Sequence, residues 1–343
     1  MTRFLTWASI ICALTLVGVS IWKTQFDADS KLKAFERAPE GIMGTSCRLV
    51  VVMDYREHEA AKKLLDKAEY RIRYIESLAS NWIEESEVET FNRLNGGEVF
   101  ELSKTNADVI RAGYEGFLET GGAFDITCRP LISLWKSAGK SGKLPSAQEI
   151  EEARVQSSWE FIKILPEKRI IKHSSTARVD LGGIAKGYAI DQAIEGMMEL
   201  GAAGALVEIG GDLRVEGTPV RRDQGRWKIE VASPFRNEGM MTLNLDGGYA
   251  VCTSGNYARF VEIEGNRYSH ILDPRSGSPT ENVPSVTVIS KSAMRSDIWA
   301  TALSVLGESG MGEGLPADLE VMLVVGESVD VEILKTDGFS SFE

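Results

Sequence analysis

From residue 202 to residue 334 the chain consists almost entirely of strand-length apolar runs: 202–209, 227–231, 241–245, 251–253, 260–263, 268–272, 285–290, 320–325 and 329–334. Turn residues separate them, Glu264-Gly265-Asn266 reading as a hairpin turn, and one segment of helical period, 296–306, is set among them. The other helical segments come earlier. In 57–78 the residues Ala61, Leu64, Leu65, Ala68, Ile72, Ile75 and Leu78 recur at three and four, giving one buried stripe; 107–119 and 184–200 follow. Strands grouped together, with helices between the groups, argue against a doubly wound parallel sheet and predict an α+β fold with mostly antiparallel sheets and packed helices. With 43% hydrophobic residues the chain has enough apolar surface for a sizeable core. No repeat of fixed period is visible. Residues 136–143 mix Gly, Ser and Lys and read as a surface loop, Pro130 blocks regular structure before them, and Pro145-Ser146 introduces a short acidic helix.

The formal charge is −12. Such a surface repels phosphate, which argues against nucleic acid as a partner; an anionic ligand needs a metal ion, helix N-termini or placed cations to reverse the field locally. Phe4 to Trp22 carry no charge, a run of about 19 residues that as a helix spans roughly 28 Å, close to a bilayer core. Arg3 precedes the run, while Lys23 is soon followed by Asp27 and Asp29, which predicts a cytoplasmic start and an exported body. The expected organisation is an N-terminal membrane anchor or signal segment over 1–22, a juxtamembrane linker over 23–40 and one domain over 41–338. The body would lie on the extracytoplasmic, periplasmic side of the cell membrane. A cleaved signal peptide is the alternative, with Val19-Ser20 offering small residues. Cys47, Cys128 and Cys252 show no C-x-x-C spacing and read as small buried hydrophobes rather than a disulfide framework.

Five small-residue turns, 43–45, 121–127, 180–188, 210–212 and 253–257, could let backbone amides approach a ligand. The third ends a strand, turns on Gly182-Gly183 and enters a helix, so free N–H groups face whatever sits there, and Lys186 can supply a point charge. It matches neither the Walker loop nor the G-x-G-x-x-G fingerprint. Asp297 and Thr301, four apart on a helix, offer a carboxylate and a hydroxyl on one face to a hard cation; an acidic helix start with a packed threonine is the plainer reading of that spacing. His58 and His173 read as exposed. His270, in a strand running into the Asp273-Pro274 turn, is placed where an imidazole could move a proton, although a structural histidine fits the same pattern. Ser133-Leu-Trp-Lys136 fits S-x-x-K and Ser254-Gly-Asn256 loosely fits S-x-N, but no K-T-G-like triplet follows, so the serine-hydrolase pattern fails.

Taken in order, these pieces resemble the FAD:protein FMN transferases, the ApbE-type flavin transferases. The matching residues are Met43-Gly44-Thr45, Ser80-Asn81-Trp82 with Ser86-Glu87 and Leu94-Asn95, and Gly122-Ala123-Phe124-Asp125-Ile126-Thr127 with Pro130-Leu131 and Leu134-Trp135. They continue with Asp180 through Asp191, Gly210-Gly211-Asp212, Thr253-Ser254-Gly255, His270 through Pro274 with Gly277, and Ser296 through Ala302. The resemblance runs over about residues 40–335. It implies an ApbE-like, T-fold-like catalytic domain that takes FAD as substrate and Mg²⁺ as cofactor. FMN would pass to a threonine hydroxyl of an acceptor flavoprotein, a subunit of a membrane redox complex, with release of AMP. By the same resemblance Met43, Trp82, Ala123, Phe124 and Asp125, together with Gly182, Lys186 and Tyr188 of the glycine turn, hold the flavin nucleotide. Ala185 through its carbonyl, Asp297 and Thr301 bind Mg²⁺, and His270 is catalytic. Asn81-Trp82 stand where Thr-Tyr is frequent and Cys128 where a β-branched residue is usual. Some relatives hydrolyse FAD to FMN and AMP instead, and a non-catalytic exported flavin-binding module or a membrane-anchored interaction protein are the other readings.

Overall fold

The computed structural model describes residues 31–220, 225–236, 238–255, 260–280, 283–327 and 330–343. The segment expected to enter the membrane, 1–22, lies outside these residues; among the described residues no helix is long and apolar enough to cross a bilayer. The centre of the molecule is one eight-stranded sheet: β1 (Leu32–Arg37), β2 (Cys47–Asp54), β3 (Gly204–Ile209), β4 (Asp212–Gly217), β5 (Ala250–Gly255), β6 (Ser285–Ser290), β7 (Glu320–Glu327) and β8 (Asp330–Lys335). The strands lie side by side in chain order and every neighbouring pair is antiparallel. The α+β expectation holds. Leu49, Val51 and Met53 of β2 enter one core while Val50 and Val52 enter another, as the two-residue period of a strand requires. Both faces of the sheet are covered, which is why this strand reads as a continuous apolar run rather than an alternating one.

Among the described residues seven α-helices accompany the sheet: α1 (His58–Ala79), α2 (Glu87–Arg93), α3 (Lys104–Glu119), α4 (Arg129–Ser141), α5 (Ala147–Gln156), α6 (Ala185–Glu199) and α7 (Ala293–Leu306). The three that pack closest to it are α1, α6 and α7, all on one face. The other face is closed by the hairpin Trp227–Ala232/Gly239–Leu245 together with Phe339 and Phe342. The stripe of α1 is buried as its spacing predicts, with Ala79 rather than Leu78 completing it. Cys47 and Cys252 are buried, Cys128 is half-buried, and all three thiols are free.

Three readings are corrected. Residues 32–37, expected to be linker, form β1: Phe35 packs on the first core, Leu32 and Ala34 on the second, and Arg37 is paired with Asp66 and Glu69 of α1. Residues 136–141, expected to be loop, belong to α4. Pro130 begins that helix rather than preventing it, because the first turn needs no amide donor. Leu131, Trp135 and Ala138 bury a stripe against Ile263 and Leu272, and Gly142, with φ 69°, ends the helix. Finally, α7 starts at Ala293, capped by the Ser292 hydroxyl, so Asp297 lies more than one turn into the helix. The helix-dipole reading of Asp297 weakens accordingly, since that effect fades beyond the first turn.

Candidate active site

The site is assembled where α6 and α7 cross. An added Cβ on Gly187 would meet the Ala293 carbonyl oxygen at 2.4 Å and the Met294 Cα at 2.6 Å, so the helices touch backbone to backbone. Asp191, one turn along α6, pins the crossing. Its carboxylate accepts from the Ala293 amide at 2.9 Å, the Met294 amide at 3.1 Å and the Ser292 hydroxyl at 2.7 Å, and pairs with Arg214 at 2.9 Å. A carboxylate at the start of α7 satisfies amides that the helix itself cannot and complements its dipole.

This crossing places Asp297 against the first turn of α6. Its Oδ2 accepts from the Gly187 amide at 3.2 Å, and Lys186 Nζ lies 3.2 Å from both of its oxygens. The same ammonium lies 2.6 Å from Asp212 Oδ2, on the β3–β4 turn, and Asp212 Oδ1 accepts from the Thr253 amide at 3.0 Å. Both aspartates are buried, at 5% and 3% exposure. Burial raises the Asp297 carboxyl to about 6; Lys186 opposes the shift and Asp212 adds to it. Burial alone would lower the Lys186 ammonium, yet the two aspartates carry it above its ordinary value, so it stays charged. Two buried carboxylates then face one ammonium.

The turn into α6 is held from below. Asn81 receives the Leu181 amide on Oδ1 at 3.1 Å and donates to the Val179 carbonyl at 3.0 Å, while Asn92 receives the Val179 amide at 2.8 Å. Arg129 pairs with Asp180 at 2.7 Å, and Asp180 Oδ1 in turn accepts from the Gly182 amide at 3.0 Å. The Thr301 hydroxyl on α7 and the Phe124 ring would each lie 3.2 Å from a Cβ on Gly183, so glycine there lets the turn, the ring and the hydroxyl pack together. Ala185, buried, opens α6 beside them.

The sequence model of the ApbE family matches residues 43–322. The chain belongs to the ApbE family. It is 32% identical over 270 residues to the FAD:protein FMN transferase of Vibrio cholerae serotype O1, covering 77% of this chain and 80% of that one. Among solved structures, the apo flavinyl transferase ApbE of Pseudomonas stutzeri superposes with a TM-score of 0.77 at 31% identity, covering 91% of this chain and 97% of its own. The ApbE protein of Thermotoga maritima superposes with a TM-score of 0.80 at 29% identity, covering 91% and 99%.

Within this ApbE fold, Ala185, Lys186, Asp297 and Thr301 are brought together with Gly182 and Gly183. Met43 is half-buried in a left-handed turn, φ 47°, packed on the core, and Thr45, two residues on, approaches Gly210 of the β3–β4 turn. Ala123 and Phe124 are buried, the Phe124 ring against Gly183 of the glycine turn. Asp125 is buried too but faces a different space, a cavity of about 740 Å³ bordered by Tyr114, Phe117, Gly122, Trp159 and Arg275. Trp82 is 82% exposed, with Lys136 Nζ 4.3 Å above its ring. Tyr188 is a core residue on the inner side of α6, its hydroxyl 3.5 Å from Asp108, and so stands apart from the open turn. His270 is exposed just beyond the strand Asn266–Ser269. Sequence reasoning missed Asp212 as a partner of Lys186, Asp191 as the pin and Asn81 as the clamp. The Gly-Gly-Asp turn was the one available signal for Asp212.

Proposed function

We propose that this chain is a magnesium-dependent FAD:protein FMN transferase. The observation that carries the reading is the buried cluster of Asp212, Lys186 and Asp297 at the start of α6, in which two carboxylates share one ammonium. The residues fit a hard cation: two buried carboxylates stand together here, and Lys186 already seats a positive charge against Asp297. The donors on offer are oxygens, the Asp297 carboxylate, the Thr301 hydroxyl and the Ala185 carbonyl, which suits Mg²⁺. Bound there, the ion would neutralise charge on the diphosphate of FAD.

The chain's own groups do the rest. The glycines of the 180–183 turn let the nucleotide backbone approach the start of α6, and Lys186 supplies a point charge to the phosphates. Trp82 presents a ring face for the isoalloxazine, with Met43, Ala123 and Phe124 as its apolar support. The acceptor threonine oxygen attacks the FMN phosphorus while its proton passes to His270. The anhydride P–O bond breaks, AMP leaves with the bonding electrons, and the new P–O bond joins FMN to the acceptor. We place the body outside the cytoplasm, tethered by residues 1–22, with an acceptor in a membrane redox complex; the charge-free run supports this. Incubation with FAD, MgCl₂ and a threonine-bearing acceptor should yield flavin fluorescence on the acceptor that survives denaturing electrophoresis. AMP release with an unlabelled acceptor would mark a FAD pyrophosphatase instead, and neither product would mark a non-catalytic binder.

A further inference from the structure

Asp297 does not await a ligand with free oxygens. Oδ2 accepts from the Gly187 amide, and Lys186 Nζ sits at 3.2 Å from both oxygens, so a positive charge already bridges the carboxylate. The ammonium is also held at 2.6 Å by Asp212, a carboxylate that the Thr253 amide keeps in place. The Lys186 side chain retains 26% exposure, against 7% for Asp297 and 4% for Asp212, so of the three groups it has the room to move. A lysine ammonium on a flexible four-carbon stem can shift without disturbing the backbone.

We infer that Lys186 is an internal counter-ion that competes with a divalent cation for Asp297 and gives way to it by withdrawing onto Asp212. The inference rests on the magnesium reading of the site. Without metal the ammonium keeps two buried carboxylates from repelling each other. When metal arrives, two positive centres cannot share Asp297 at such short range, so the ion binds weakly while the ammonium, withdrawn onto Asp212, lacks a second anion in place of Asp297. A diphosphate entering with the metal supplies that anion, which couples metal uptake to nucleotide uptake.

The test titrates the full chain, in detergent and without FAD, with MgCl₂ at about pH 8, where carboxylates are ordinarily ionised. It reads the Mg²⁺ dissociation constant by calorimetry and the melting temperature alongside. Lys186→Gln keeps a donor for Asp212 but loses the charge. It should melt lower than the wild type without metal, bind Mg²⁺ at least about tenfold more tightly and gain more in melting temperature from it. Equal or weaker binding by this variant, with measurable binding by the wild type, overturns the inference and leaves the magnesium reading intact. Absence of Mg²⁺ binding in both chains overturns that reading and the inference with it. If Lys186→Gln does not fold, Lys186→Arg carries the test. It keeps the charge on a wider head less able to withdraw, so it should bind Mg²⁺ more weakly than the wild type; tighter or equal binding overturns the inference.

Discussion

A methyl group on Gly187 would stand 2.4 Å from the carbonyl oxygen of Ala293, so α6 and α7 meet at a point where only hydrogen fits. The whole site depends on that contact, because it brings Asp297 of one helix onto the first turn of the other. Gly187→Ala should therefore force the helices apart, costing about 1–3 kcal/mol of stability, and should reduce transfer by more than the lost folded fraction explains. Denaturant melts beside activity per folded molecule check this. An alanine variant with wild-type stability would show that the crossing has slack.

Asp297→Ala should abolish transfer while leaving the protein folded, since Lys186 keeps its 2.6 Å partner Asp212. If the carboxylate holds the ion, several kcal/mol of transition-state stabilisation disappears; a helix-dipole contact would be worth only about 0.3–1 kcal/mol. Transfer unaffected by a chelator in the wild type would remove this role.

For His270→Ala the expectation is a rate lower by about 10²–10⁴, the range for a lost general base, with little change in stability because the residue is exposed. The pH–rate profile should also differ from that of the wild type. A variant that keeps the wild-type profile would take His270 out of the proton transfer.

Burial holds the Asp125 carboxyl up at about 6, against an ordinary 3.8, although the Thr127 amide, which donates to it at 2.7 Å, pulls the other way. The folded chain thus binds this proton more tightly than the unfolded one. The contribution of Asp125 to stability rises as pH falls from about 6 to about 4 and is flat outside that window. Asp125→Asn, which can still accept the Thr127 amide, should lose this dependence. The difference between variant and wild type should change by roughly 2–3 kcal/mol between pH 7 and pH 4, readable from urea melts at each pH. A difference independent of pH would mean that the carboxyl titrates normally.

Trp82→Ala should leave stability within about 0.5 kcal/mol, because the ring is 82% exposed. FAD affinity should fall by roughly 2–12-fold, the worth of one stacked ring, and FAD should quench less of the intrinsic tryptophan fluorescence than in the wild type. Unchanged affinity would place the isoalloxazine elsewhere.

Much of the fold was legible because its signals are local. The stripe of α1 needs only the 3.6-residue period, and the strands after residue 202 need only apolar runs between turn residues. Helix α4 was misread because Gly, Ser and Lys look like loop until Leu131, Trp135 and Ala138 find Ile263 and Leu272 more than a hundred residues away. β1 was missed for the same reason: its few apolar residues make a strand only when β2 supplies hydrogen bonds.

The site divides along that line. The glycine turn into α6 and the four-residue spacing of Asp297 and Thr301 are properties of single segments, and the chain alone determined them. The pairing of Lys186 with both Asp212 and Asp297, the pin of Asp191 on α7 and the clamp of Asn81 under the turn join residues 26 to 111 positions apart. Only tertiary structure decided these. A charge or an amide carries no local sign of which distant partner will satisfy it, whereas burial after folding makes that partner obligatory.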